Sequence, residues 1–346
     1  MTRRRWPAAI ADTASAAGEN ARLLGGRRRV YLAVIDMCDL APAEHTAAMG
    51  SDASRPAAAR SSPLSSELLG FPRDARVLIV NCDDLGMYDA INAAVIDSIE
   101  TGIASSCSLM VPCPAARRAM QLLRQRPQIP FGIHLTLVCD TAGYRWGPQA
   151  AREDVPSLLD DDGELFTWPA GRSQLLARVR LDDVELEFRA QISTVADTGL
   201  TPTHLDFHCL ADGGRDDILG LAAALAAEYG LALRVWLEPG RNKMRQRGLP
   251  VTDNEFLDSY SLALGDKPAR YIELLRTLPA GLTEWAVHPS TGNLKSRAID
   301  SGWRQRRTDY EFLTSPQARE SIQQEGITVI DYRAIQQAWP QPRATR

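Results

Sequence analysis

No stretch of this 346-residue chain approaches the roughly 20 consecutive apolar residues that a membrane-spanning helix needs. The six cysteines form no Cys-x-x-Cys pair and are too sparse for a disulfide-stapled secreted domain, so we expect reduced, mostly buried thiols. Basic residues are also in short supply after residue 76, where 28 Lys and Arg face 35 Asp and Glu. This balance disfavours a nucleic-acid-binding body, which needs a basic patch. We expect a cytoplasmic protein without a membrane span.

The first 70 residues are rich in Ala, Arg and Ser, and the stretch 51–66 has few large apolar side chains. This composition predicts a low-complexity, disordered extension over residues 1–70. Arg3-Arg4-Arg5 is followed by a segment that contains Asp12 and is mainly alanine, so no export signal is predicted. Met49 is an alternative start of the chain. A single folded domain is expected over residues 71–340.

Alternating apolar strands and amphipathic helices fill this domain. Val77-Leu78-Ile79-Val80 is a continuous apolar run of the kind buried on both faces in a parallel sheet. About seven β/α units follow one another, interrupted by a long insertion over residues 138–172. Helices are predicted near residues 181–196, 218–229, 255–264 and 269–278. This repetition predicts a closed or nearly closed (β/α) barrel, with a doubly wound open sheet as the alternative.

Chemically active side chains collect where the predicted strands end, which is where α/β proteins build their sites. Asp83 and Asp84 end the first strand, and an N-cap role is the structural alternative for them. Where a strand unwinds, two neighbouring carboxylates can face one cavity. Four of the only five histidines also fall at predicted strand ends: His134, His204, His208 and His288. Together these residues indicate one functional site.

The segment His204-Leu205-Asp206-Phe207-His208 alternates polar and apolar residues. On a strand this puts His204, Asp206 and His208 on one face, where they are costly in a packed core but satisfied beside a metal. One carboxylate and two imidazoles hold a divalent ion with open positions, a set also used by non-haem iron oxygenases. A further carboxylate as general base and His288 as proton donor favour hydrolysis of an amide or ester.

Four short motifs occur in the order of a known family: Val80–Gly86, Gly132–Leu135, Pro202–His208 and His288-Pro289. With them, the chain resembles the YdjC-like carbohydrate deacetylases, which include chitooligosaccharide deacetylases and are related to polysaccharide deacetylases. The resemblance extends from about residue 76 to about residue 334. It implies a distorted (β/α) barrel, an N-acetylated sugar as substrate and a homodimer.

The resemblance also implies roles for single residues. Asp84, His134 and His208 correspond to the family's metal ligands, with Mg²⁺ as the expected ion and Zn²⁺ or another transition metal as alternatives. Asp83 resembles the general base and His288 the late histidine that gives a proton to the leaving amine. His204 and Asp206 are left as residues that support the ligands or contact substrate. This chain departs from the family at Cys209, where many members carry further histidines.

The expected function is therefore a metal-dependent hydrolase that removes an N-acetyl group from an amino sugar or N-acetylated oligosaccharide. The alternatives are a catalytically silent sugar-binding barrel, a phosphoesterase or an iron oxygenase. Trp146 and Trp168, both in the long insertion, are predicted either to stack on a sugar ring or simply to pack the loop.

Overall fold

The computed structural model describes residues 63–339 of the chain. Ten strands lie in this part: β1 Arg76–Leu85, β2 Ser106–Leu109, β3 Phe131–Leu135, β4 Val138–Cys139, β5 Phe166–Thr167, β6 His204–Phe207, β7 Ala232–Leu233, β8 Leu257–Asp258, β9 Gly281–Val287 and β10 Thr328–Val329. The same part contains twelve α-helices: α1 Ser65–Leu68, α2 Asp89–Glu100, α3 Ala116–Arg124, α4 Arg172–Arg178, α5 Leu181–Ala196, α6 Asp216–Tyr229, α7 Glu238–Gln246, α8 Lys267–Arg276, α9 Leu294–Ile299, α10 Trp303–Leu313, α11 Pro316–Gln324 and α12 Tyr332–Ala338.

The main sheet is entirely parallel, in the order β7-β6-β3-β2-β1-β9-β8. This is the chain order of a barrel, broken once between β7 and β8, and not the reversed order of a doubly wound sheet. The short strand β10 pairs with the start of β1, on the side that β2 takes from residue 81 onward. The predicted α/β fold with about seven parallel strands is therefore confirmed, in the form of a half-barrel.

Strand β1 lies at the centre of the sheet because its sequence can be buried on both faces. Val77, Leu78, Ile79 and Val80 are completely buried, and β9 pairs with β1 from residue 76 to residue 82. Burying four such side chains contributes roughly 1.5–3 kcal/mol each before entropy is counted. The run therefore fixes the carboxyl end of β1, which carries Asp83 and Asp84, in the middle of the sheet.

The helix predicted over residues 255–264 is wrong. This segment forms β8 and two 3₁₀ turns, Ser259–Ser261 and Leu264–Asp266. The Asp258 carboxylate accepts the N–H of Tyr260 and begins a short 3₁₀ turn here, a local contact that competes with a continuous helix. Pairing of Leu257 with Trp285 of β9 satisfies the backbone instead. The other three predicted helices correspond to α5, α6 and α8.

The predicted extension over residues 1–70 lies outside the described residues except for its last eight. Residues 65–68 form α1, and the backbone N–H groups of Ser65 and Ser66 donate to the Asp253 carboxylate at 2.6 and 3.1 Å. The five cysteines in the described part are free thiols, four of them buried, as expected for those five; Cys38 lies outside that part. No helix between residues 63 and 339 has the length and apolar character needed to cross a membrane.

The insertion over residues 138–172 is held against the barrel by helix α5. Its strands β4 and β5 pair with each other, and Glu187 accepts the N–H groups of Gln149 and Ala150 at 3.0 and 2.9 Å. Asp183, one turn earlier, accepts the N–H of Ser157 at 3.0 Å. Two buried carboxylates thus fix the insertion beside the carboxyl ends of the strands.

Candidate active site

The end of β1 turns two consecutive carboxylates into one cavity. Asp84 has a left-handed φ of 67°, and the pairing of β1 with β2 shifts register between Cys82 and Leu85. As a result Asp83 Oδ2 and Asp84 Oδ1 lie 3.8 and 3.4 Å from the same nitrogen, Nε2 of His134. A left-handed conformation costs a non-glycine residue of the order of 1–3 kcal/mol, and such conformations cluster at functional sites.

Three ligand atoms converge above this turn, one each from Asp84, His134 and His208. Asp84 Oδ1 lies 3.4 Å from His134 Nε2 and 3.1 Å from His208 Nδ1. These separations suit three donors on one small divalent cation, for which ligand bonds are about 2.0–2.2 Å long. We call these three residues the inner cluster.

Each imidazole of the inner cluster is oriented by a carboxylate on its far side. His134 Nδ1 donates to Asp206 at 2.9 Å, and His208 Nε2 donates to Asp140 at 2.6 Å. When each ring is neutral and its proton lies on the nitrogen that faces Asp206 or Asp140, the lone pair of the other nitrogen points toward Asp84. Paired carboxylate and histidine of this kind are the usual support of a metal ligand, so the donor set fits a divalent ion.

Neighbouring charges shift the pKa values of Asp84 and His134 in the inner cluster in opposite directions. Burial by itself raises the pKa of Asp84, but Arg306 at 2.6 Å and the two histidines hold it well below its ordinary value. Burial lowers the pKa of His134, whereas Asp206 and Asp83 outweigh it and raise the value to about 9. The cluster therefore takes up protons, and a metal would compete with those protons for the same lone pairs.

Asp83 lies beside the inner cluster, in contact with a buried arginine. Arg234 donates to both of its oxygens, at 2.9 and 2.7 Å, and Asn81 donates to Oδ1 at 2.7 Å. Its Oδ2 lies 3.8 Å from His134 Nε2 and 4.0 Å from His288 Nε2. Burial raises the pKa of Asp83 to about 6, although Arg234 lowers it. The group is thus a carboxylate near neutral pH with unusually high basicity.

His288 directly follows β9 and faces Asp83 from the opposite side. Its Nδ1 lies 2.9 Å from the Ser259 hydroxyl, which donates to Asp309 at 2.6 Å. Because the serine proton is used on Asp309, the serine oxygen accepts from Nδ1–H, and Nε2 is the nitrogen that faces the site. Burial lowers the pKa of His288 well below its ordinary value.

The remaining predicted site residue, His204, lies behind the site. Its ring is stacked on Tyr332, with centroids 3.6 Å apart, and its Nε2 lies 3.7 Å from Asp206. Burial lowers its pKa, so it is a neutral packing group that supports Asp206. A side chain at Gly132 would collide with this ring, since a Cβ atom there would be 2.4 Å from Nε2.

Trp146 packs beside His208, with ring centroids 6.3 Å apart, and is only 4% exposed. Its ring therefore walls the site and offers no broad platform for a sugar. Trp168 is half-buried, with the Arg172 guanidinium 6.0 Å above its ring. Trp146 thus has the second of its two predicted roles, loop packing; for Trp168 both roles stay predictions.

The sequence-based predictions of site residues lack the small polar residues Asn81 and Ser259 and three charged residues: Asp140, Arg234 and Arg306. Arg234 had a detectable signal, because it is a lone charge inside the apolar run Leu231–Val235. Asp140 follows the very short β4, and Arg306 lies in α10, 222 residues after Asp84. Neither has a local pattern that marks it, since both join the site through tertiary contacts.

The profile of the family described as YdjC-like protein matches residues 77–324. A carbohydrate deacetylase of Geobacillus stearothermophilus is 31% identical over 75% of this chain and 97% of its own length. A chitooligosaccharide deacetylase of Yersinia enterocolitica is 30% identical over 74% of this chain and 98% of its own. The crystal structure of a protein described as a putative cellobiose-phosphate cleavage protein, from Enterococcus faecalis, superposes with a TM-score of 0.65 at 26% identity, covering 75% of this chain and 99% of that one.

Proposed function

The chain belongs to the YdjC-like family, and we propose that it is a metal-dependent hydrolase that removes the N-acetyl group from an amino sugar or a short N-acetylated oligosaccharide. The predicted enzyme class, a carbohydrate deacetylase, is confirmed by its curated relatives. The metal, the acetamide substrate and the residue roles are the content of the proposal.

One observation carries this proposal: a basic carboxylate and a histidine flank three converging ligand atoms. Asp83 Oδ2 lies within 4.0 Å of both His134 Nε2 and His288 Nε2. A protein that only binds sugars needs neither a buried, arginine-held carboxylate nor a second histidine opposite it. Hydrolysis of an amide needs both, because one proton leaves the attacking water and another must reach the departing nitrogen.

The inner cluster would hold the metal through Asp84, His134 and His208. A divalent ion bound there lowers the pKa of water and polarises a carbonyl. Asp83 accepts the proton of the attacking water on Oδ2, while Arg234 and Asn81 hold the carboxylate in place. His288, in its doubly protonated form, donates the Nε2 proton to the amine as the C–N bond breaks. Its lowered pKa makes that form a strong acid.

The proposal is tested by acetate release from N-acetylated monosaccharides and chitooligosaccharides, with metal-free and metal-loaded protein. We expect metal-dependent acetate from at least one substrate, and its loss in both Asp83→Asn and His134→Ala. A sugar phosphate such as cellobiose phosphate is included and should release neither phosphate nor sugar. Metal-dependent phosphate release without acetate would refute the proposal, as would acetate formation that survives His134→Ala.

Ser259 offers a separate test of the role of His288. Replacing it with alanine removes the acceptor of Nδ1–H, so the imidazolium loses stabilisation and its pKa falls further. Because the general acid works only when protonated, the decline of kcat at high pH should move to lower pH, with kcat itself down about tenfold. The measurement is the pH profile of acetate release.

The matched control for this change is Ser261→Ala. Ser261 lies in the same 3₁₀ turn but is exposed and donates only to the backbone carbonyl of Asp258. We expect an unaltered profile there, and rescue of the Ser259 defect by Ser259→Thr, which keeps the hydroxyl. A pH profile that does not move in Ser259→Ala, despite a lower melting temperature, would show that Ser259 is only structural.

A further inference from the structure

A second group of ligand atoms lies on the far side of His208 from the inner cluster. It consists of Asp140, His208 and Cys209, whose ligand atoms lie within 4.8 Å of one another. His208 Nε2 is 2.6 Å from Asp140 Oδ1 and 3.4 Å from the Cys209 sulfur. A carboxylate, an imidazole and a thiol at these separations match the ligand types and spacing of a zinc-like ion, whose bonds to nitrogen and sulfur are about 2.0 and 2.3 Å. We call this the outer cluster.

The backbone brings the thiol to this position. Cys209 has a left-handed φ of 58°, which folds its side chain back toward the ring of the residue before it. The two residues on either side of His208 in the outer cluster are partly exposed to solvent: Cys209 is half-buried, and the Asp140 side chain is 25% exposed. The inner cluster, by contrast, is almost entirely buried, since Asp84 and His134 are 2% and 1% exposed. Of the two clusters, the outer one is therefore the more accessible to an ion from solution, through Asp140 and Cys209.

The chemistry of the outer cluster selects among cations. Mg²⁺ and Ca²⁺ prefer oxygen ligands and gain little from sulfur, whereas a thiophilic ion displaces the thiol proton and binds the thiolate. The mixed oxygen, nitrogen and sulfur set therefore discriminates strongly against hard ions.

We propose that Asp140, His208 and Cys209 form a second cation site, specific for thiophilic divalent ions such as Zn²⁺ and Cd²⁺, that competes with the inner cluster for His208. Binding replaces the S–H bond by a metal–sulfur bond and releases one proton to solvent. In the bound state His208 Nε2 ligates the ion and Nδ1 carries the single remaining proton of the ring; any second ring proton is also released to solvent. Only the competition rests on the proposed function; occupancy of the outer cluster does not.

The competition follows from the single lone pair of a neutral imidazole. When Nε2 carries the proton that Asp140 accepts, Nδ1 is free to ligate beside Asp84. When Nε2 binds an ion in the outer cluster, Nδ1 carries the proton and no longer serves the inner one. Simultaneous occupancy would require the ring to lose both protons. A soft ion in the outer cluster should therefore inhibit the enzyme by weakening its hold on the inner metal.

The direct test titrates the metal-free full chain with Cd²⁺ and follows the thiolate-to-cadmium charge-transfer absorption and proton release. We expect the band to appear together with proton release, and to be lost in Cys209→Ser. One matched control is Cys139→Ser, which changes the cysteine next to Asp140 but keeps an acceptor for the Trp146 N–H. The other is Cys38→Ser. Both controls should keep the band.

A second arm measures inhibition of the metal-loaded enzyme by Cd²⁺ and Zn²⁺. Cys209→Ser should raise the inhibitory concentration at least tenfold while leaving the uninhibited rate unchanged, and Cys209→Ala should behave alike. A band that survives in Cys209→Ser, or inhibition that does not change, would overturn the proposal. If no substrate is ever hydrolysed, the absorption arm still decides on the site, so its outcome is separate from that of the proposed function. Circular dichroism of each variant identifies misfolding. If Cys209→Ser is unfolded, the absorption of Cys209→Ala decides instead whether the band requires the thiol.

Discussion

Replacing Asp83 with asparagine should lower kcat for acetate release by about two to four orders of magnitude, the usual contribution of a general base. The amide keeps the shape of the side chain but has no basic oxygen that can take a proton. The Asp83 carboxylate is not one of the three ligands and lies 3.8 Å from the ligand nitrogen of His134, so metal affinity should change by less than about tenfold. Kinetics and a metal titration on the same variant separate the two effects.

Asp258 provides the matched control for this substitution. It is another carboxylate near His288, 3.9 Å from Nδ1, and burial raises its pKa to about 6, the same value as that of Asp83. Its Oδ1 also accepts the N–H of Tyr260, a contact that an asparagine oxygen can keep. Asp258→Asn should stay within a few-fold of wild type. If the large loss falls on Asp258→Asn and Asp83→Asn remains active, Asp83 is not the base.

Removing the charge of Arg234 should produce the largest loss of stability, about 3–5 kcal/mol for Arg234→Met at pH 8. This buried guanidinium contacts three carboxylates: Asp83 at 2.7 Å, Asp206 at 2.9 Å and Glu284 at 3.4 Å. Methionine fills part of the volume but leaves the acids without a counter-charge. Urea unfolding of wild type and variant measures the difference in free energy of unfolding.

The pH dependence of that difference identifies its origin. Burial already raises the pKa of Asp83 to about 6 and that of Glu284 to about 8, and Arg234 lowers both. Without Arg234 the folded-state values rise further above the unfolded ones, so the folded variant binds more protons and loses stability as pH rises. The deficit should therefore grow between pH 5 and pH 8 and shrink toward acid, where the carboxyls are protonated in both states.

Arg189→Met is the control for arginine substitution in general. Arg189 pairs with Glu185 and Glu228 on the surface, with 36% of its side chain exposed, so its loss should cost less than about 1 kcal/mol at either pH. Arg234→Lys should fall between wild type and Arg234→Met, because a lysine keeps the charge but not the two-pronged contact with Asp83. A deficit in Arg234→Met that is equal at pH 5 and pH 8 would point to lost packing instead of uncompensated charge.

The alternation of apolar strands and helices predicted the parallel β/α architecture, because a strand buried on both faces must be apolar throughout, as residues 77–80 are. It also predicted which residues would meet, since the ends of parallel strands lie at one edge of the sheet. Asp83, Asp84, His134, His208 and His288 do lie there together. His204 does not, because it begins β6 instead of ending it.

The partners of those residues were decided only by tertiary structure. Arg234 reaches Asp83 across 151 residues of chain, Arg306 reaches Asp84 across 222, and Asp140 reaches His208 across 68. Local periodicity reports which face of an element is buried, but it carries no information on which distant charge lies opposite. The sequence by itself therefore determined the fold class and the groups that carry the chemistry. The tertiary structure determined which partners hold and orient those groups and how their pKa values are shifted. Only the folded chain brings such distant carboxylates, guanidinium groups and imidazoles within hydrogen-bonding distance.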